Sequence, residues 1–229
     1  SGEELSDEYD PEFYWCTTPR QGARHVWAMA AATAANRAEE LRQLGAHKSI
    51  VNRILEPFLH VNVLWTTALP GLLNFFGLRL DQAAQPEMRA FAEAVWRAYH
   101  ESTPQKLDPG QWHLPFVDQE TIDDVWNAID PGIDLQQGGI SDRIIRISVA
   151  RCARLSYASF ETRKRSTTEE DLALHDRLLA ARHWSPFEHQ ATPDRLIEYR
   201  FSEDPGPFWE HPEQAGNFGS GWRQYRAMI

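Results

Sequence analysis

Two arginines in apolar surroundings are the first candidates for ligand binding. Arg79 ends the segment NFFGLR, and Arg53 lies in the segment NRILEPF. An unpaired guanidinium is costly to bury, so we expect each to have an anionic or carbonyl partner. On neighbouring helices the pair would form a fork for a phosphate and the edge of a planar base. The alternative is a structural ion pair, with Asp81 or Glu87 for Arg79 and with Glu56 for Arg53.

The segment ARCARLSY at 150–157 is a second candidate. Its small residues, hydroxyl and arginines would let a backbone approach a phosphate or a ring closely. The alternative is a packed helix with solvated arginines. Cys152, in the same segment, is not favoured as a nucleophile, because no histidine is near it in sequence and buried cysteines are usually inert.

The segment HWSPFEH at 183–189 is the third candidate. His183, Glu188 and His189 could bind a metal ion, but their spacing matches no common helical zinc motif and Pro186 interrupts the segment. We therefore predict no metal site. The plainer alternative is a turn whose histidines cap neighbouring elements.

Helical periodicity predicts the elements that must position these segments. Apolar residues recur at helical spacing over 21–44, 48–69 and 85–100, with stop signals at Gly45 and Pro70. A short helix is expected from Thr121. The range 144–157 could be helix or buried strand, and Ser141-Asp142 as a cap favours helix. Another helix is expected from Thr167, with a core face made of Leu172, Leu174, Leu178 and Leu179. Alternation predicts a strand over 196–201, followed by a loop-like tail up to Trp222.

Composition limits the classes of protein to which the chain can belong. Its 229 residues are 42% hydrophobic and 24% charged, which excludes wholesale disorder. A net charge of -10 argues against non-specific binding to nucleic acid or to an anionic membrane. The acidic N-terminus and the two cysteines predict a soluble, cytoplasmic protein without a signal peptide. An internal boundary, if there is one, is expected near 136–142.

Taken together, the segments resemble the flavin-dependent thymidylate synthases. Three motifs of that family have counterparts over about residues 45–190. The pattern L-x-N-F-x-x-L-R…A-Q-x-E is matched by Leu73, Asn74, Phe75, Leu78, Arg79, Ala84, Gln85 and Glu87. The pattern A-R-x-S-F/Y is matched by Ala153, Arg154, Ser156 and Tyr157, and H-x-[ST]-P-F-E-H by His183, Ser185, Pro186, Phe187, Glu188 and His189. The motif order is reversed relative to the common bacterial enzymes, which resembles a rearranged branch known from phages and actinobacterial sequences.

The resemblance implies a fold and a set of residue roles. The expected fold is α+β, helix-dominated with a small antiparallel sheet, and the whole chain, 1–229, is expected to be a single domain of this kind. Arg79 would contact the uracil ring as substrate-binding and catalytic residue, and Arg53 would hold the phosphate. Positions that contact the flavin in the family are Asn74, Ser156, His183 and Ser185. Two further polar family positions are Ala68 and Pro70 here, so part of the cofactor contact must differ.

The resemblance also implies the chemistry. In that chemistry a one-carbon unit would pass from methylenetetrahydrofolate to C5 of dUMP. Reduced FAD would supply the hydride, and NADPH would regenerate the reduced FAD. No cysteine of the enzyme would take part. The substrate could also be UMP. Members of the family are homotetramers, so the resemblance implies a homotetramer here. Two alternatives stay open: a non-catalytic flavin- or nucleotide-binding subunit, and a hydrolase with a metal held by His183, Glu188 and His189.

One family motif is missing. The signature R-H-R-x-x-S-x-N-E-x-S-x-R-Y is absent, since Arg24-His25 lacks everything downstream and RQYR at 223–226 is only a faint echo in a glycine-flanked tail. We therefore expect that a preceding segment, lost or separately encoded, carries the signature. On that expectation the chain alone binds FAD weakly and turns over poorly.

Overall fold

The computed structural model describes residues 18–128, 139–155, 166–198 and 207–229. The chain divides into two compact units, Ser1–Val61 and Asn62–Ile229. Residues 136–138 of the boundary predicted near 136–142 lie outside the described residues, and the single-domain interpretation stays a prediction.

The first unit is a pair of packed helices, α1 (Pro19–Gln43) and α2 (Lys48–Leu55), followed by a 3-10 turn at Glu56–Phe58. Thr18 caps α1 by accepting a 3.3 Å hydrogen bond from Gln21 N–H. Gly45 ends the helix with φ +81°, a conformation that costs glycine little. The helix predicted over 21–44 is thus confirmed.

The helix predicted over 48–69 is wrong beyond Leu55. Pro57 lies in the 3-10 turn, and the following residues run without a helix until α3 (Leu69–Arg79) begins. Pro70 starts this helix instead of ending one, because proline's missing N–H has no intrahelical partner to lose in the first turn.

In the second unit, α3 packs on α4 (Pro86–Glu101) through aromatic rings. Phe76 is 4% exposed and lies 4.9 Å from the ring of Trp96. Such edge-to-face contacts add to the stabilisation from burial alone. The helix predicted over 85–100 is confirmed.

The core of the second unit surrounds α6 (Gly139–Arg154), which packs on α5 (Gln119–Asn127) and α7 (Thr168–Ala180). Its buried residues lie on most sides of the helix: Ile144, Ile145, Ile147, Ser148, Val149, Ala150 and Cys152. A helix that is buried on most sides has no clear alternation of apolar and polar faces in its sequence, so the pattern over 144–157 fits a helix or a buried strand. Helix is confirmed. The predicted cap is wrong, since Ser141-Asp142 lies inside the first turn.

Helix α7 begins as its sequence predicts but buries a different face. Thr167 and Glu170 form a reciprocal capping box at its start. The buried side chains are Asp171 and His175, whereas Leu179 is exposed. The predicted leucine face is therefore partly wrong, because the ionic network described below draws Asp171 inward.

Two short antiparallel ladders complete the second unit. Strand β1 (Ala191–Pro193) pairs with β4 (Trp222–Gln224), and β2 (Leu196–Glu198) pairs with β3 (Pro207–Trp209). A final helical turn, α8 (Tyr225–Met228), follows β4. The helix-dominated α+β prediction is confirmed. The tail is not loop-like throughout, because it contains β3. None of the described helices is both long and apolar enough to cross a membrane.

Candidate functional site

A pocket of about 380 Å³ opens in the second unit beside the C-terminal end of α6. Four parts of this unit form its walls: the chain before α3, the end of α6, the end of α7, and the HWSPFEH segment that follows α7. The described lining residues are Asn62, Val63, Leu64, Cys152, Ala153, Leu155, Leu178, His183, Ser185, Pro186 and His189. The lining contains no aspartate, glutamate, lysine or arginine among these described residues, so it suits an uncharged group.

The HWSPFEH segment forms a rigid turn at the pocket. Residues Ser185–Glu188 are a 3-10 helix, with Pro186 in its first turn. Phe187 is fully buried and stacks on Tyr225 at 6.1 Å between ring centroids, with 15° between the planes. This anchor orients the flanking His183 and Ser185 side chains toward one cavity. The interpretation of this segment as a turn is confirmed.

His189 ends the segment and connects it to the chain before α3. Its Nδ1 lies 2.9 Å from the hydroxyl of Thr66, in the chain before α3. Burial lowers the pKa of His189, and the neighbouring His113 lowers it further. The ring is therefore neutral at physiological pH.

Cys152 lines the pocket without the properties of a nucleophile. Burial raises the pKa of its thiol to about 12, so the thiolate is scarcely populated at neutral pH. Gln190 Nε2 lies 3.4 Å from its sulfur and donates to Ser148 Oγ at 3.2 Å. The geometry agrees with the sequence-based argument against covalent catalysis by this residue.

The end of α6 is held by a buried carboxylate that the sequence analysis missed. Asp171 is fully buried and accepts hydrogen bonds from Arg151 Nε at 3.0 Å, Arg154 Nε at 3.0 Å and Ser166 Oγ at 2.7 Å. These bonds tie α7 to the turn of α6 that lines the pocket. The sequence offered one sign that Asp171 is buried: it lies one helical turn before His175, on the helix face that also carries Leu178.

The structure brings together only part of the predicted site. His183 and Ser185 both line the pocket, whereas Asn74 and Arg79 lie exposed on α3 and are absent from its lining. Arg53 is exposed near the end of α2 in the first unit. Ser156 lies outside the described residues.

The predicted burial of the two arginines is wrong, and so is the alternative of structural ion pairs. Both guanidinium groups are exposed in this chain. Neither has a carboxylate within 4.0 Å among residues 18–128, 139–155, 166–198 and 207–229, which include Glu56, Asp81 and Glu87. The carboxylate of Asp81 instead accepts a 2.7 Å hydrogen bond from Ala83 N–H, which holds the turn after α3.

The positions of the side chains give no support to the metal-site alternative at HWSPFEH. Three donor atoms of His183, Glu188 and His189 do not come within 4.8 Å of one another. Glu188 instead forms an ion pair with Arg226, whose guanidinium lies 5.8 Å from the ring centroid of Trp184.

The one three-donor group found in the described part of the chain comprises Asp194, Glu210 and His211. Asp194 accepts hydrogen bonds from the backbone N–H groups of Arg195 at 2.9 Å and His211 at 2.8 Å. Burial alone would raise the pKa of Asp194, but these hydrogen bonds outweigh it and hold the pKa below its usual value. The carboxylate thus has a structural role in joining the two strand pairs.

The C-terminal RQYR segment packs against the pocket motif, which its glycine-flanked sequence did not predict. Gln224 Nε2 donates to the carbonyl of Glu188 at 2.9 Å, and Tyr225 N–H donates to the carbonyl of Gln190 at 2.9 Å. Together with the Arg226–Glu188 ion pair, these hydrogen bonds hold the HWSPFEH turn against the C-terminal segment.

One comparison with known proteins covers the range that holds the NFFGLR motif. Residues 3–105 match the family model described as thymidylate synthase complementing protein. The predicted family resemblance is confirmed over this range. A segment of 57 residues is 37% identical to a flavin-dependent thymidylate synthase of Aquifex aeolicus, covering 25% of this chain and 18% of that protein. The chain thus aligns with less than a fifth of that relative's length. No solved structure matches the chain.

Proposed function

We propose that the protein is a flavin-dependent enzyme that methylates C5 of a uracil nucleotide, dUMP or UMP. The observation that carries the proposal is the convergence of two motifs on one pocket. His183 and Ser185 come from HWSPFEH, and Ala153 and Leu155 come from ARCARLSY, yet all four line the same cavity. The third motif, NFFGLR, lies within the range that matches the family model.

The described residues fit part of a flavin cofactor. A cavity of about 380 Å³ lies in the size range of small-molecule sites, and its uncharged lining suits an aromatic ring better than a phosphate. His183 and Ser185 would contact the cofactor here, and Asn74 and Ser156 are proposed as its further contacts. When bound, FAD reduced by NADPH supplies the hydride for the one-carbon unit of methylenetetrahydrofolate.

The nucleotide would be held by arginines outside this pocket. Arg79 is proposed to contact the uracil ring and Arg53 the phosphate. Both guanidinium groups are exposed, with no ion-pair partner in the described segments, so neither must break a protein contact to bind a ligand. A planar, permanently charged donor suits both a carbonyl edge and a phosphate.

The assembly is proposed to be a cytoplasmic homotetramer without nucleic-acid or membrane partners. Large side chains on the surface of this single chain support further association, among them Trp27, Phe91 and Trp126, which are 59%, 52% and 59% exposed. Light scattering coupled to size exclusion would measure the mass. A monomer at micromolar concentration contradicts the tetramer.

The test of the function has two stages. Binding of FAD to the purified protein is first measured at equilibrium by flavin fluorescence, which also detects weak binding. NADPH oxidation is then followed with methylenetetrahydrofolate and either dUMP or UMP, with omission of the nucleotide as control. Nucleotide-dependent turnover with a methylated product supports the proposal, and absence of flavin binding contradicts it.

A second candidate is a non-catalytic flavin- or nucleotide-binding subunit. The absence of the R-H-R signature from the sequence favours it. It predicts flavin binding and nucleotide binding in the first stage, with no nucleotide-dependent NADPH oxidation in the second.

A further inference from the structure

His189 is a polar residue of the pocket whose ring is fixed by a hydrogen bond. His189 lines the cavity, and its Nδ1 is 2.9 Å from Thr66 Oγ1 in the chain before α3. Within the described residues, Nε2 of the ring has no hydrogen-bond partner. One nitrogen is therefore used to fix the ring, and the other is available to a ligand.

The backbone on both sides of His189 is immobilised. Phe187 and Gln190 are fully buried, and Ala191 pairs with Gln224 in the β1–β4 ladder. The carbonyl of Ala191 also accepts a 2.7 Å hydrogen bond from His113 N–H. A ring held this firmly loses little conformational entropy when a ligand binds, so its hydrogen bond contributes more of its strength to affinity.

The electrical surroundings of the ring favour an uncharged ligand group. The titratable groups near the His189 ring are His113, which lowers the pKa of His189, and the His183 ring and the protonated Cys152 thiol, which line the same pocket. Glu188, its sequence neighbour, is paired with Arg226. A neutral imidazole can exchange one hydrogen bond with a ring N–H or carbonyl without burying a net charge.

We propose that His189 is a ligand-binding residue of this pocket, that Thr66 is its positioning residue, and that the group it binds is an uncharged heteroaromatic ring. The inference rests on the proposed function for the identity of that ring, the flavin. His183 and Ser185 are already expected to contact the flavin. The inference adds His189 as a third contact and Thr66 as the residue that holds His189 in place.

Riboflavin is the probe, because it carries the ring without phosphates. Its dissociation constant is measured by flavin fluorescence for the wild-type protein, His189→Ala, His189→Asn and Thr66→Val, with FAD in parallel. His100→Ala, an exposed histidine on α4, is the matched control. Thermal unfolding of each variant shows whether it is folded.

The expected loss of riboflavin affinity in His189→Ala is about tenfold, the usual effect of removing one hydrogen bond from a desolvated site. His189→Asn, which keeps a neutral hydrogen-bonding group, should recover part of this loss. Thr66→Val should weaken binding by a smaller factor, and His100→Ala should have no effect. A purely structural His189 would lower the unfolding temperature but leave the affinity of the folded protein unchanged.

The outcomes separate this inference from the function on which it rests. Wild-type affinity for riboflavin in folded His189→Ala, with FAD still bound by the wild-type protein, overturns the role of His189 and leaves the proposed function standing. Failure of the wild-type protein to bind either flavin overturns both. Equal losses in His189→Ala and His100→Ala also overturn the inference.

Discussion

Asp171 Oδ2 accepts a 3.0 Å hydrogen bond from Arg151 Nε, and the side chain of Asp171 has no exposure to solvent at all. Arg154 donates to the other carboxylate oxygen at the same distance. The carboxylate thereby joins α7 to the end of α6 from which Cys152, Ala153 and Leu155 line the pocket. A buried charge with two cationic partners is costly to leave unbalanced, so the pocket wall depends on this residue.

Replacing Asp171 by Asn should destabilise the protein by about 3 kcal/mol, because two guanidinium groups lose their charge partner inside the unit. Glu169→Gln, an exposed change in the first turn of the same helix, is the control and should cost less than about 1 kcal/mol. Urea unfolding followed by circular dichroism measures both. Equal midpoints for the two variants would refute the role of the network.

Arg79→Ala should abolish nucleotide binding and leave FAD bound. Loss of a charge-assisted contact to the base should cost about 1.5–3 kcal/mol or more. Calorimetric titration with dUMP and with UMP measures the affinity, and Arg97→Ala on α4 is a matched exposed control. Unchanged affinity for both nucleotides in Arg79→Ala contradicts the assignment.

Cys152→Ser should keep most of the activity of the active protein. The thiol has its pKa raised to about 12 by burial, so it is not available as a thiolate, and the proposed chemistry needs no enzyme nucleophile. Rates of nucleotide-dependent NADPH oxidation are compared at equal flavin content. A fall of several orders of magnitude in a folded variant would restore covalent catalysis by Cys152.

Stability should decrease as pH falls from 7 toward 5. Burial lowers the pKa of His175 despite its hydrogen bond to Asp176, and burial also lowers the pKa of His113 and His189. The unfolded chain, with histidine pKa values near 6.5, then takes up protons before the folded protein does. The stabilisation is thus complete above about pH 6.5 and is lost below it.

The measurement is the urea midpoint of unfolding at intervals from pH 8 to pH 5. His175→Gln should reduce the dependence on pH, since it removes one of the groups whose pKa differs between the two states. A wild-type midpoint that rises on acidification in this range would contradict the assignment.

The amino-acid sequence by itself determined the local elements and the resemblance to a family. The helices over 21–44 and 85–100 and the capping box at Thr167 depend on periodicity and on side chains within one turn, so short stretches of sequence encode them. The motif at 73–87 lies within residues 3–105, where the family match confirms the predicted resemblance. The motifs at 153–157 and 183–189 lie outside that range and stay predictions.

Only the tertiary structure decided which residues meet. The contact of Thr66 with His189, the burial of Asp171 between two arginines, and the pairing of Trp222–Gln224 with Ala191–Pro193 join positions far apart in the chain. Long-range pairs of this kind leave no periodic trace, because each partner is chosen by packing and charge compensation once the helices are assembled. For the same reason Pro70 could be predicted to interrupt a helix, but not to begin one.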